Sequence, residues 1–132
     1  MAAKKYTYAY GRRKTATATV RLYPEAGVST INGKPAEEVY VGIAGQKRLV
    51  MPLTTAGLNP KDYHFTVQAK GGGVAAQLGA ITLGLARCVV NIDAELKKPL
   101  KDAGLLTRDP RMVERKKPGM RKARKAEQYS KR

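Results

Sequence analysis

The sequence is poor in several residue types, and each shortage excludes a class of site. Its single cysteine, Cys88, cannot form an internal disulfide or a multi-cysteine zinc site. Its single histidine, His64, excludes a three-histidine metal centre, and we expect no catalytic triad to be built on it. The ten acidic residues form no evident catalytic pair. We therefore predict no metal and no cofactor.

Long apolar runs are also missing. The longest, Leu78 to Ala86, is far shorter than the roughly 20 residues that cross a bilayer. The first residues lack the apolar core of a signal peptide. The sequence therefore predicts a soluble protein of a reducing compartment.

Negative charge is scarce and unevenly placed. The 132 residues include 26 Lys and Arg against 10 Asp and Glu, a formal net charge of +16. Residues 1–21 hold six basic and no acidic residues, residues 22–100 eight and six, and residues 101–132 twelve and four. A nearly neutral body with two basic ends predicts a polyanionic partner, first nucleic acid and second an anionic membrane.

Hydrophobic periodicity predicts one domain of mixed strands and helices over residues 1–106, because the core signal fades beyond Thr107. A period of two predicts strands at 6–10, 15–22, 28–31 and 63–70, with a turn or bulge at Gly11. Helices are predicted from Pro35, at 44–50, at 74–91 and at 94–103, with Pro52 in a loop and Gly104 as a stop. Cys88 lies on the core stripe of the long helix and is predicted to be a small buried hydrophobe.

Residues 107–132 are predicted to form an extended basic tail, because they hold too few apolar side chains to offset their ordering entropy. A short helix at 110–117 is the one element expected within it. Repeated cations on a flexible chain suit RNA phosphates, although a solvated tail and a localisation signal have the same composition. The candidate contacts are Arg108, Arg111, Arg115, Lys116, Lys117, Arg121, Lys122, Arg124 and Lys125.

Two further clusters could bind phosphate. Arg12, Arg13 and Lys14 follow a glycine, which suits either a ligand contact or a solvated turn. Lys70 and the Gly71–Gly73 run precede a helix whose free amides favour an anion, but a permissive turn is the simpler interpretation. The Lys-Ser/Thr pair of a phosphate-binding P-loop does not follow these glycines.

Two aromatic features leave similar alternatives open. Tyr6, Tyr8 and Tyr10 share one face of an extended segment, where they could stack bases or cover a sheet edge. His64 falls on the polar face of a strand and is expected at the surface or against a phosphate.

Four segments carry a resemblance when they are taken together: GRRKTA at 11–16, GGGVAAQLGAITLGLAR at 71–87, LLTRDPRMVERKKPG at 105–119 and KARKAEQYSKR at 122–132. With these segments the chain resembles the family of ribosomal protein nine of the small subunit, in its bacterial or organellar form. The resemblance implies a structural constituent of the ribosome, active in translation in the cytoplasm or an organelle, and not an enzyme. It also implies a two-layer α+β body, with a small, mainly antiparallel sheet and helices packed on one face, similar to the second domain of small-subunit protein five.

The same resemblance implies the partners. The body would sit on ribosomal RNA in the head of the small subunit, beside other head proteins. The tail would thread through RNA to the peptidyl-site tRNA and place Ser130, Lys131 and Arg132 at the anticodon stem-loop. No membrane, cofactor or homo-oligomer is expected.

Two other functions remain as alternatives. One is a small phosphoryl-transfer enzyme that uses the Gly71–Gly73 loop, by analogy of fold alone. The other is a basic protein that compacts DNA.

Overall fold

The computed structural model describes residues 6–112 and 114–125. The elements within those residues, in chain order, are strands β1 (Thr7–Arg13), β2 (Ala16–Tyr23), β3 (Thr30–Ile31) and β4 (Lys34–Pro35), helices α1 (Ala36–Val39) and α2 (Ile43–Thr55), strand β5 (His64–Lys70), and helices α3 (Val74–Ile92) and α4 (Lys97–Asp102). Two 3₁₀ turns, Pro60–Asp62 and Ala94–Leu96, precede β5 and α4. This element content confirms the predicted mixture of strands and helices.

The strands form one sheet in the order β1-β2-β5-β3-β4, antiparallel except between β3 and β5. Alternation along β2 determines which face is covered. Ala18, Val20 and Leu22 are fully buried beneath the helices, whereas Thr17 and Arg21 are exposed on the other side. The sheet therefore has one face packed against helices and one open face, as the period of two predicts.

Helix α3 forms the core of the helical layer. Ten of its nineteen residues are buried, and it packs mainly on β1 and β2. By length and composition it could cross a bilayer, and it is longer than the apolar run noted in the sequence. Its burial against the sheet is instead that of a core helix. Cys88 is fully buried there, as predicted, and desolvation raises the pKa of its thiol to about 12, so the thiol stays protonated and unreactive.

Gly11 does not form the predicted turn or bulge. It lies inside β1, paired with Ala18, and its missing side chain faces α3. A Cβ at this position would overlap the carbonyl oxygen of Ala80 and approach the backbone nitrogen of Gly84 to 2.7 Å. The glycine is therefore needed for a close approach of helix to strand, a requirement that local sequence does not reveal.

The predicted boundaries near two prolines also need correction. Pro35 lies in β4 and precedes α1, which begins at Ala36. Helix α2 continues to Thr55 and includes Pro52, which was expected in a loop. The Pro52 ring is fully buried, and this burial offsets the backbone hydrogen bond that a proline removes from a helix.

The end of the body follows the prediction more closely. The 3₁₀ turn and α4 occupy the helical region expected at 94–103, and Gly104 ends it with a left-handed φ of 76°. The short helix expected at 110–117 is wrong, because residues 110–112 and 114–117 contain no helix.

Replacing Gly11 with Ala should lower the free energy of unfolding by about 1–3 kcal/mol, because α3 must move away from β1 to admit a methyl group. Gly42→Ala is the matched control, since a Cβ there would meet nothing within 4 Å. Urea unfolding of both variants measures the difference. Equal stability of the two variants would contradict the packing described here.

Candidate nucleic-acid interface

Four arginines from separate elements line one cavity of about 540 Å³. Arg12 and Arg13 come from the end of β1, and Arg111 comes from the chain beyond α4. Arg48 of α2 completes the set. Three of these residues were predicted as RNA contacts, and the structure brings them together. Arg48 was missed, because only the packing of α2 against α3 places it there.

The Arg13 side chain packs along α3. Its side chain is 21% exposed and lies across Gly79 of α3, where a Cβ would approach Nη1 to 2.9 Å. Its Nη2 is 3.7 Å from Oδ2 of Asp109. The absence of a side chain at Gly79 thus provides the channel that holds this guanidinium at the cavity.

Asp109 is the acidic residue of the cavity and ties the start of the predicted tail to the body. Nε of Arg111 donates to Oδ1 and Oδ2 of Asp109 at 3.0 and 2.9 Å, and the Arg111 amide donates to Oδ1 at 3.0 Å. These hydrogen bonds, with the charges of Arg111 and Arg13, hold the pKa of the Asp109 carboxyl well below its usual range. One acidic residue among four arginines gives the lining of the cavity an excess of positive charge, which suits a phosphate.

A second cavity, of about 450 Å³, lies at the start of α3 and is lined by Lys14, Gly72, Gly73 and Met112. The first turn of α3 has no side-chain cap at Gly73, so its amides are available to an anion. Lys14 therefore lies apart from Arg12 and Arg13, and the basic run 12–14 divides between two cavities.

The glycine run is held by packing against the β1–β2 turn. Gly71 and Gly72 have φ of 76° and 64°, and a Cβ on Gly71 would lie 2.6 Å from the carbonyl oxygen of Thr15. Nε2 of Gln77 donates to the Gly71 carbonyl at 3.1 Å. Lys70 is exposed at the end of β5, opposite Thr17. The loop thus has the conformation of a permissive strand-to-helix turn, with two lysines nearby.

Beyond Met112 the described chain forms a local loop around one carboxylate. Glu114 accepts hydrogen bonds from Nζ of Lys117 at 2.6 Å and from Nε of Arg124 at 2.8 Å. These bonds hold the pKa of Glu114 below its usual value. Nη1 of Arg108 donates to the Asp109 carbonyl at 3.3 Å. The other predicted tail contacts are exposed: Arg115, Lys116, Arg121, Lys122 and Lys125.

The predicted residues thus fall into three groups. The cavity holds Arg12, Arg13 and Arg111, the α3 start holds Lys14 with the glycine loop, and the tail loop holds the remaining cations. Ser130, Lys131 and Arg132 lie outside the described residues. Sequence reasoning also missed the roles of Asp109 and Glu114, although an acid inside a basic run is a signal for an intramolecular ion pair.

Comparison with known proteins gives one consistent result. The family model described as ribosomal protein S9/S16 matches residues 11–132. The small ribosomal subunit protein uS9 of Acaryochloris marina is 53% identical over 127 residues, covering 92% of this chain and 89% of that protein. The uS9 proteins of Gloeothece citriformis and Dehalococcoides mccartyi are 50% and 46% identical, covering 92% and 96% of this chain and 89% and 96% of their own lengths.

The pairing of Asp109 with Arg111 predicts a shift in titration. The carboxyl should remain ionised at pH 3.5, below the ordinary aspartate pKa of about 3.9, because its folded-state pKa is depressed. Any stability from this pair is present above the unfolded-state pKa and is lost as pH falls through the lower folded-state value. Arg111→Gln should raise the pKa of the carboxyl and increase its protonated fraction at pH 3.5, while the residue-111 amide and Arg13 continue to favour the ionised form. The ¹³C carboxyl shift measures both, and an unchanged titration would contradict the pairing.

Proposed function

The chain belongs to the ribosomal protein S9/S16 family, and we propose that the arginine-lined cavity is where its body holds the ribosomal RNA of the small subunit. The protein is a structural constituent of the bacterial small ribosomal subunit, acts in translation in the cytoplasm and is not an enzyme. The family role of binding ribosomal RNA matches the charge of +16.

The single observation that supports this docking site is that four arginines from separate elements line one cavity. A planar guanidinium binds phosphate oxygens through two parallel N–H bonds, which fixes orientation as well as charge. Arg13 is already restrained by Gly79 and Asp109, so it loses little side-chain freedom on binding. The cavity is therefore suited to a folded RNA whose phosphates are close together.

A second phosphate contact is proposed at the start of α3. Lys14 lines the same cavity as the uncapped amides of the helix, and the Gly71–Gly73 loop allows a backbone to approach them. Lys70 precedes this loop at the end of β5 and would contact phosphate from the outward face of the sheet. In this proposal the glycines leave space for the RNA backbone because they have no side chains, and they take part in no reaction. Packing against the β1–β2 turn accounts for the glycines, so a phosphoryl-transfer role is not needed to explain them. This agrees with membership of a structural family.

We assign residues 1–106 to a docking body and residues 107–132 to a basic tail. The body would have the fold of the second domain of small-subunit protein five and sit in the head of the subunit. Asp109 would anchor the tail to the body through Arg13. Phosphates would then compete with Glu114 for Lys117 and Arg124 and open the loop along RNA.

The far end of the tail is assigned to the peptidyl-site tRNA. Ser130, Lys131 and Arg132 supply a hydroxyl and two cations for the phosphates of the anticodon stem-loop. The neighbouring head proteins are the other expected partners. Folded ribosomal RNA should also outcompete duplex DNA at physiological salt, which separates this function from DNA compaction.

Arg48→Gln should weaken binding to small-subunit ribosomal RNA and reduce the slope of log affinity against log salt by about 1, because one phosphate contact is lost. If about ten phosphates are neutralised, the parent slope should be roughly −7 to −9. A filter-binding titration over a range of salt measures both slopes.

Lys47→Gln is the matched control, since it removes the same charge one residue away but faces a different cavity. Its affinity and slope should stay near those of the parent. A parent slope near −2, or equal losses in the two variants, would contradict docking through the arginine-lined cavity.

Deletion of Lys131 and Arg132 should leave assembly into the small subunit intact and weaken peptidyl-site tRNA binding by about 1–3 kcal/mol, the range for hydrogen bonds to charged groups. Assembly is followed by sedimentation and tRNA affinity by filter binding to the purified subunits. Unchanged tRNA affinity in truncated subunits would contradict the assignment of the tail end.

A further inference from the structure

We propose that the open face of the sheet is a second RNA contact, on which an unpaired stretch of ribosomal RNA stacks its bases. The open face here means the outward side chains of β2 and β5 together with Tyr6. The inference rests on the proposed function, because it takes the same ribosomal RNA as its ligand.

The register of the sheet places polar side chains around a hollow at the centre of this face. Thr19 lies opposite Gln68, and Arg21 lies opposite Thr66. These side chains line a cavity of about 300 Å³. Hydroxyl and amide groups both donate and accept hydrogen bonds, so the hollow can meet the edge of an unpaired base.

A row of rings borders the hollow at one end. The Tyr23 ring is stacked on His64 at 4.7 Å between centroids, with an interplanar angle of 5°. The Tyr6 ring lies 5.5 Å from Tyr23, and the Arg21 guanidinium is 5.3 Å from the Tyr6 ring centroid. Nδ1 of His64 lies 2.8 Å from the carbonyl oxygen of Glu25, which fixes the ring. Tyr6 is 47% exposed, so part of this fixed aromatic row is open to a stacking partner.

The charge of the open face indicates which kind of partner it can bind. The outward positions of β2 and β5, residues 17, 19, 21, 23, 64, 66, 68 and 70, include Arg21 and Lys70 and no carboxylate. Threonine, glutamine and arginine line the hollow, which is too polar to attract an apolar protein surface. Cations beside exposed rings are the combination that single-stranded nucleic acid requires. RNA is therefore the occupant that both features fit.

Gln68→Glu tests the charge of the hollow, with Gln46→Glu as the matched control. Both changes add one carboxylate at an exposed glutamine, but Gln46 lies on α2, away from the sheet. With small-subunit ribosomal RNA as the probe, we expect about a five- to tenfold loss of affinity for Gln68→Glu at 0.1 M salt. The control should stay within twofold of the parent, and equal losses would overturn the inference.

The rings are tested in assembled subunits that contain the full chain. Ultraviolet crosslinking followed by mass spectrometry should find nucleotide adducts on Tyr6 or Tyr23. Tyr6→Phe should retain the affinity of the parent for ribosomal RNA, whereas Tyr6→Leu should lower it by about fivefold or more, the lower limit for loss of one stacking contact.

The outcomes separate this inference from the proposed function. A chain that never enters subunits would contradict both. A chain that enters subunits but carries no nucleotide adduct on these rings, or is crosslinked there to a peptide instead, would overturn the open-face contact alone.

Discussion

The close approach of α3 to β1 is the constraint on which the rest of the structure depends. Gly11 in the strand and Gly84 in the helix remove the side chains that would keep the two backbones apart. Gly79, one turn earlier on the helix, leaves the channel that the Arg13 side chain occupies. A single packing solution therefore stabilises the core and positions a cation at its surface. It also places the end of β1 beside α2 and the chain after α4, so that arginines distant in sequence share one cavity.

Two carboxylates organise the excess of positive charge. Asp109 joins Arg13 to Arg111 and so attaches the tail to the body, and Glu114 gathers Lys117 and Arg124 into a loop. Both carboxylates lie at the surface, where ion pairs stabilise little and salt screens them. Phosphates can therefore replace these carboxylates at small cost when RNA is present. In the absence of RNA, the two carboxylates hold the nearby cations in a defined arrangement. When RNA binds, its phosphates can take over those cations.

Local pattern predicted four of the five strands, the long helix and the one-sided burial, because those follow from the spacing of apolar residues, but not β4. The burial of Ala18, Val20 and Leu22 is a clear case. Gly11 and Pro52 were misassigned because their roles depend on partners distant in sequence, namely a helix backbone and a buried pocket. Of the candidate site, charge alone identified Arg12, Arg13 and Arg111. The position of Arg48 required the packing of α2, which no pattern in the sequence contains.

A cryo-electron microscopy map of the small subunit containing this chain tests RNA docking in the arginine-lined cavity most directly. It gives the distance from each cavity arginine to the nearest RNA phosphate. We predict a phosphate within hydrogen-bonding distance of the guanidiniums of Arg13 and Arg48, about 3 Å from nitrogen to oxygen. A map in which the cavity faces protein or solvent, with every phosphate farther away than the screening length of about 10 Å, would contradict the account.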